Sequence, residues 1–317
     1  DYTEIVDDYP KFLADCELNM KNNIAPFYSK DWMDTNIAEL NKFKAEENAT
    51  ISYMVKEFEM RKAADLYSRI SVAKTGVIDT NKLHSYKYND DIFRRLATLP
   101  QGKNHGFIMF LDWSGSMVTN LKYTMKQLFA LTMFCKRVQI PFEVYLFRDH
   151  GRFDVTPGNT KYNVRNDNTV SFSGLFKLRN VLSSRMKSQE LIAAYNHLWS
   201  LCKIHSPYDA MCGTPLDHCI AAADKLINDF RVRNKLQVVN TIFLTDGDSS
   251  PTVFGLGNDG RSKTVNIIQD DITKKEYRVE RNSYIWIRTT PTWLKILKDR
   301  TGCNLIGFYL FETNKFM

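Results

Sequence analysis

The run Phe107-Ile-Met-Phe-Leu-Asp-Trp-Ser-Gly-Ser-Met117 decides the fold. Five apolar residues, enough for one buried strand, end in Asp112, Ser114 and Ser116 at alternating positions. A helical pattern begins at once, with Leu121, Met125, Leu128, Leu131 and Phe134 on one side. A carboxylate and two hydroxyls are thus gathered in one tight loop at a strand end. Hard divalent cations such as Mg²⁺ favour such oxygen-rich sites and keep positions for water. Two later stretches extend the pattern. Thr214 stands in Cys212-Gly-Thr-Pro-Leu-Asp217, just before another helical run, and Asp246 stands in Thr241-Ile-Phe-Leu-Thr-Asp-Gly-Asp248, at the end of another apolar strand.

Strand and helix patterns alternate from residue 105 onward. Strands are predicted at 107–111, 142–147, 238–244 and 305–310, with a short edge strand at 169–172. Helices are predicted at 117–138, 191–202, 215–230 and 292–298. This period predicts an α/β fold, a Rossmann-like, doubly wound and mainly parallel sheet covered by helices on both faces. Ligands of such sheets bind at the carboxyl ends of the strands, where Asp112 and Asp246 fall. Two polar insertions interrupt the pattern, near 148–190 and 249–288, and the second alternates like a hairpin at 264–268 and 276–279. They are read either as a docking surface around the site or as simple decoration.

Ahead of this region, apolar residues at three- and four-residue spacing predict helix up to about residue 70. Residues 71–104 read as a polar, linker-like stretch with one short helical piece at 91–96. Asn48-Ala-Thr50 has a glycosylation pattern but is read as a capping or loop segment.

Composition sets the bounds. The chain has 317 residues, 44% hydrophobic and 25% charged, enough for a large core. No apolar run of about 18 residues predicts a membrane span, and the acidic first residues do not resemble a signal peptide. The net charge of +7 is uneven: residues 1–100 carry 14 basic and 17 acidic side chains, and the remainder 29 and 19. A solvated basic surface is the preferred reading, and nucleic-acid binding is not expected, because no basic cluster interleaved with aromatics stands out. The six cysteines form no disulfide framework, so a reducing, cytoplasmic setting is expected.

Asp-x-Ser-x-Ser, a later Thr, and a strand ending in Thr-Asp-Gly together resemble the metal-ion-dependent adhesion site of von Willebrand factor A domains. The resemblance implies one Mg²⁺ or Mn²⁺, with Ser114, Ser116 and Thr214 as direct hydroxyl ligands. Asp112 and Asp246 then bind directly or through water, and one position stays open for a partner's Asp or Glu. It also divides the chain into a helical N-terminal extension and lead-in (1–104) and an A domain (105–317). Thr214 and Ser116 have a competing reading as helix caps, Thr214 fitting N-cap with Pro215 at N1 and Asp217 at N3. Trp113 is read either as packing on the sheet edge or as flanking the site, and Asp248 either as supporting the site or as a turn residue.

Other motifs are weaker. His197, Cys202, His205, Cys212, His218 and Cys219 crowd zinc-type ligands together without a tetrahedral spacing. Gly255-x-Gly-x-x-Gly260 lacks the helix that a dinucleotide site needs. No P-loop occurs, and no catalytic triad is suggested, so no intrinsic enzymatic activity is expected.

A narrower likeness lies in the lead-in. Gly76-Val-Ile-Asp-Thr-Asn-Lys-Leu83 and Asp90-Asp-Ile-Phe-Arg-Arg95 resemble the segment before the A domain of cobaltochelatase T-subunit proteins, above all the T-subunit-like proteins of large tailed phages. That resemblance implies a non-catalytic adaptor working with a MoxR-type AAA+ ATPase on a client with an acidic residue, in the host cytoplasm if phage-encoded. It leaves open a subunit of a chelatase-like metal-insertion complex, and a structural virion component.

Overall fold

The computed structural model describes residues 5–21, 30–68, 71–78, 87–88, 93–98, 104–149, 170–171, 176–203, 211, 213–247, 249, 253–254, 267–279 and 289–310. In chain order the elements are β1 (Val6–Asp7), α1 (Tyr9–Lys21), α2 (Lys30–Ser68), β2 (Ser71–Ile78), β3 (Phe93–Thr98), β4 (His105–Asp112), a 3₁₀ turn (Gly115–Thr119), α3 (Leu121–Arg137), β5 (Phe142–Asp149), β6 (Val170–Ser171), β7 (Phe176–Ser183), α4 (Ser188–Leu201), α5 (Leu216–Asn234), β8 (Val238–Thr245), β9 (Val253–Phe254), β10 (Ile267–Gln269), β11 (Glu276–Arg278), α6 (Thr290–Thr301) and β12 (Asn304–Tyr309). The chain divides into two compact units, one of residues 1–48 with 104–317 and one of residues 49–103. The boundary falls within α2.

The first unit is a mixed α/β body on a six-stranded, mostly parallel sheet ordered β1-β7-β5-β4-β8-β12. β5, β4, β8 and β12 run parallel in that order, while β7 lies antiparallel to β5. β4 is central because Phe107–Leu111 is apolar on both sides of the pleat. Ile108 and Phe110 join one core with α5 and α6, through Ile220, Ile227, Phe230, Trp293 and Ile296. Met109 and Leu111 point the other way and are just as completely buried. Phe110 is stacked between Tyr145 and Phe243 at 5.6 and 5.0 Å. Each such pair contributes about 1 kcal/mol beyond its burial and stiffens the strands that carry the site. Gly106 at the start of β4 lets Leu236 and Phe230 pack close to the strand, since a Cβ there would lie 2.4 Å from Leu236 Cδ1 and force these side chains to shift.

From β4 the chain passes through α3 to β5 on one side, and β8 pairs with β4 on the other. The topology therefore changes direction at β4, and the carboxyl ends of β4 and β8 flank that switch point. α2 adds a stripe at Met33, Asn36, Leu40 and Phe43, with the Phe43 ring stacked 6.2 Å from Trp199 of α4. Glu39 on the same helix pairs with Lys122 at 2.9 Å and with Lys203. In the second unit β2 and β3 form an antiparallel pair, Ser71 opposite Thr98.

Several sequence expectations are corrected. The supposed linker carries the β2–β3 pair, and the piece read as helix at 91–96 contains the start of strand β3. Asn48-Ala-Thr50 lies inside α2 and caps nothing. β7 falls within the stretch 148–190 and is a full member of the sheet. The segment expected as an edge strand at 169–172 pairs instead with β9, in a separate two-stranded sheet. The hairpin near 264–279 is present as β10–β11. Among the described residues, no helix is long and apolar enough to cross a membrane.

Candidate functional site

Asp112 is the last residue of β4 and is fully buried. Trp113 follows with its ring inside the core and its backbone N–H donating to Phe147 O at 3.0 Å, so it does not flank the site. The chain then turns through Ser114 into the 3₁₀ turn, which sends α3 across the sheet. Ser114 is buried, while Ser116 reaches the surface. Their hydroxyl oxygens are 3.0 Å apart, and Ser116 Oγ donates to Asp246 Oδ1 at 2.7 Å. With Ser116's hydrogen committed to Asp246, the Ser114 hydroxyl donates to Ser116. One hydrogen-bonded chain thus joins the loop after β4 to the loop after β8.

Asp112 is held separately. Thr245, the last residue of β8, donates its hydroxyl to Asp112 Oδ2 at 2.6 Å. Among the described residues, Asp112 Oδ1 is buried without a hydrogen-bond partner. Burial pushes the Asp112 carboxyl up to about 6, and the Asp246 charge adds to the rise, against the pull of the Thr245 and Ser114 hydrogen-bonding groups. Ser114 therefore lies close enough to act electrostatically, yet neither its hydroxyl nor its amide is aligned as a donor to Oδ1.

Thr214 arrives from the loop before α5. Its Oγ1 would be 3.7 Å from a Cβ placed on Gly247, and Met211 O in the same loop would be 3.7 Å from one on Gly115. The third loop thus lies against both others. The helix cap of α5 falls on Pro215, and no side-chain capping bond forms there or at the 3₁₀ turn. The competing cap roles of Thr214 and Ser116 are therefore absent. The loops are pinned by Asp217, whose backbone N–H donates to Ser249 Oγ at 2.8 Å and whose buried carboxylate accepts the hydroxyls of Thr289 and Thr290.

Asp112, Ser114, Ser116 and Asp246 lie together at the switch point, and Thr214 lies beside Gly247, the residue after Asp246. The sequence pattern assigned no role to Thr245 or Ser249, and assigned Asp217 only that of an acid at the helix start. Thr245 was legible in principle: it lies in the quoted Thr-Asp-Gly stretch, and the β8 register sets it level with Asp112. Asp217 was legible only as a helix-start acid, because its threonine partners are more than seventy residues away. Asp248, His205, Cys212 and Gly255–Gly260 lie outside the described residues.

The donor set fits a hard cation. It offers two carboxylates and three hydroxyls, no thiolate, and one buried carboxylate oxygen without a partner. Among the described residues, no group of three or more His, Cys, Asp or Glu side chains is gathered to hold a metal. A hydroxyl-rich site does not need such a group, whereas the zinc reading does. His218 is buried and its imidazole is depressed to about 4, and burial pushes the thiols of Cys202 and Cys219 up, so all three are neutral at pH 7.

No protein-family model and no curated protein matches the chain. Among solved structures, the pilus adhesin SpaC of Lactobacillus rhamnosus GG in its open conformation is similar at 14% identity and a TM-score of 0.40, over 68% of this chain and 25% of that one. Three N-terminal domains of the type V pilus tip protein Mfa5 of Porphyromonas gingivalis are similar at 12% identity and a TM-score of 0.28, over 64% of this chain and 30% of that one. This chain thus spans about a quarter to a third of those proteins.

Proposed function

We propose that this chain is a von Willebrand factor A-type, metal-dependent docking protein without catalytic activity of its own. The observation that carries the reading is Asp112 Oδ1, a carboxylate oxygen buried without a hydrogen-bond partner among the described residues, near the Ser114–Ser116–Asp246 hydrogen-bonded chain and at the carboxyl ends of the two strands that flank the switch point, with Thr214 lying beside Gly247. Ser114, Ser116 and Thr214 would hold Mg²⁺ or Mn²⁺ through hydroxyl oxygens, with Asp112 and Asp246 as its carboxylates. When bound, the ion supplies a hard Lewis-acid centre that accepts an oxygen ligand from outside the chain. The partner side is an Asp or Glu of a client. The lead-in likeness to cobaltochelatase T-subunit-like proteins supports a MoxR-type AAA+ ATPase as the energy source, and the lack of a P-loop here fits that division of labour.

Calorimetric titration with Mn²⁺ tests the site. Wild type binds one ion and Asp112→Ala binds none; equal affinities in the two would refute the assignment. Purification of the protein from its natural host with and without EDTA tests the docking role. An AAA+ ATPase retained only without EDTA supports it, and retention in both counts against docking through the ion.

A further inference from the structure

The six-stranded sheet ends in two unlike edges. β1 is only Val6–Asp7, and Asp7 and Asp8 there are paired with Lys11 and Arg185. An edge so short and charged offers little to another strand. β12 runs for six residues, Asn304-Leu-Ile-Gly-Phe-Tyr309, in unbroken register with β8. It carries no charge, no proline and no bulge. Among the described residues no strand pairs with its outer side. Ile306, Phe308 and Tyr309 are 39, 50 and 58% exposed. Such an edge is a template for a further strand.

The register indicates which strand. The Leu310 N–H donates to Thr245 O at 2.8 Å, so the even-numbered amides of β12 face β8. The N–H and C=O groups of Leu305, Gly307 and Tyr309 therefore point outward. Ile306 and Phe308 lie on the sheet face of Met109 and Leu111, through Ile242 and Leu244, and Leu305, Gly307 and Tyr309 lie on the other. An antiparallel copy of β12, turned about a two-fold axis at Gly307, satisfies all the outward groups. Gly307 exchanges both hydrogen bonds with its counterpart, and Leu305 does so with Tyr309 on either side. Ile306 then faces Phe308 in the closer, non-hydrogen-bonded positions, apolar against apolar. Among the described residues nothing lies within 4 Å of a Cβ placed on Gly307, so packing within one chain does not call for glycine there. A glycine inside a strand costs backbone entropy and marks a close approach of another backbone. In the pair, Tyr309 of the second copy stands diagonal to it, where an aromatic ring covers a strand glycine.

We infer that β12 is a self-pairing edge, through which two copies of this chain join their sheets as a two-fold dimer. The inference is independent of the metal reading. A six-residue strand is about 20 Å long, which puts the dimer in the weak, concentration-dependent class.

The test is sedimentation of the full chain at about 10–500 µM, the range a small interface requires. Wild type is expected to pass from monomer to dimer. Ile306→Glu and Phe308→Lys each place a charge at an exposed position, and each is expected to weaken association at least tenfold with an unchanged melting temperature. Mixed in equal amounts, the two variants are expected to recover the dimer, because the acid of one chain then faces the ammonium of the other. Amide hydrogen exchange gives a reading without variants, and decides the matter if either variant fails to fold. Raising the wild-type concentration is expected to slow the outward amides of Gly307 and Tyr309 and leave those of Ile306 and Phe308 unchanged. Wild type that stays monomeric throughout overturns the proposal and leaves the edge to a strand of another origin. A dimer unweakened by either variant overturns it as well, since the interface then lies elsewhere. Folded variants whose mixture stays monomeric overturn the register at Gly307.

Discussion

Two carboxylates are buried in the same sheet, at opposite ends, and they are treated differently. Glu143, near the amino end of β5, accepts from Arg233 at 2.6 Å, from Arg185 Nε at 3.1 Å and from the Tyr145 hydroxyl at 2.8 Å. Arg185 reaches on to Asp8 at 2.8 Å, so the network ties the N-terminal segment to the sheet. Asp112, at the carboxyl end of β4, has the Thr245 hydroxyl on one oxygen and nothing on the other. A buried charge is costly unless paired. At Glu143 the chain supplies its own cations and the carboxylate is structural. At Asp112 no cation among the described residues is a partner, and burial, with the Asp246 charge adding to it, pushes that carboxyl up to about 6. Under the proposed metal reading, the contrast separates a joint of the fold from a place that takes an outside cation.

The sharpest way to break the comparison is to exchange the consequences. Glu143→Ala removes the buried acceptor shared by Arg233 and Arg185, which are about a third exposed, with Arg185 still paired to Asp8. It is expected to cost about 1–2 kcal/mol of unfolding free energy, with Mn²⁺ affinity unchanged. Urea denaturation and calorimetry on one preparation read both, and a large loss of Mn²⁺ affinity would erase the distinction between the two ends.

Asp112→Asn should do the opposite. Mn²⁺ affinity falls about a hundredfold or more, while the metal-free protein keeps its stability at pH 7. The wild-type group binds its proton more tightly folded than unfolded, so metal-free stability falls as pH rises from about 3.8 toward 6 and is level above that. Melting temperatures across that window should show the slope in wild type and lack it in Asp112→Asn.

Ser116→Ala is a finer probe. One hydroxyl on an exposed turn contributes about 1 kcal/mol or less to folding, yet under the proposed metal reading it is one of few ligands. The domain should stay folded and lose metal-dependent partner capture in a pull-down. Unfolding would make Ser116 structural, and wild-type capture would move the docking surface elsewhere.

The smallest effect is expected on α2. The Lys203 and Lys122 ammonium groups hold the Glu39 carboxyl down to about 2 from its ordinary 4.5. Its contribution is therefore present above pH 4.5 and lost as pH falls from there toward 2. Because both partners are partly exposed, it is small and screened by salt. Glu39→Gln should flatten that acid limb slightly at low ionic strength, leaving Mn²⁺ binding unaltered. A change in metal affinity would show that α2 acts on the site through Lys122, at the start of α3.

The parts of the fold legible in the sequence were those whose signal is local. β4 announced itself as an unbroken apolar run ending in a carboxylate, because a strand buried on both faces tolerates little else, and β8 as a largely apolar run with Asp246 just beyond it. The five candidate ligands followed, since each stands at a strand-helix junction and needs only its own stretch to be placed. β7 did not announce itself. Lys177, Arg179 and Asn180 break its apolar pattern. Arg179 is accommodated by Asp15 and the Phe12 ring, 164 and 167 positions away in sequence, which receive its guanidinium. β2 and β3 were hidden by their polar surroundings, as each depends on the other for its hydrogen bonds. The sequence by itself determined a mostly parallel α/β sheet with an oxygen-rich cluster at its carboxyl end. Only the tertiary structure decided which buried carboxylate was neutralised from within and which was left with an open oxygen, because counter-charges and hydroxyl donors come from strands and helices remote in the chain, and no local pattern records their distance.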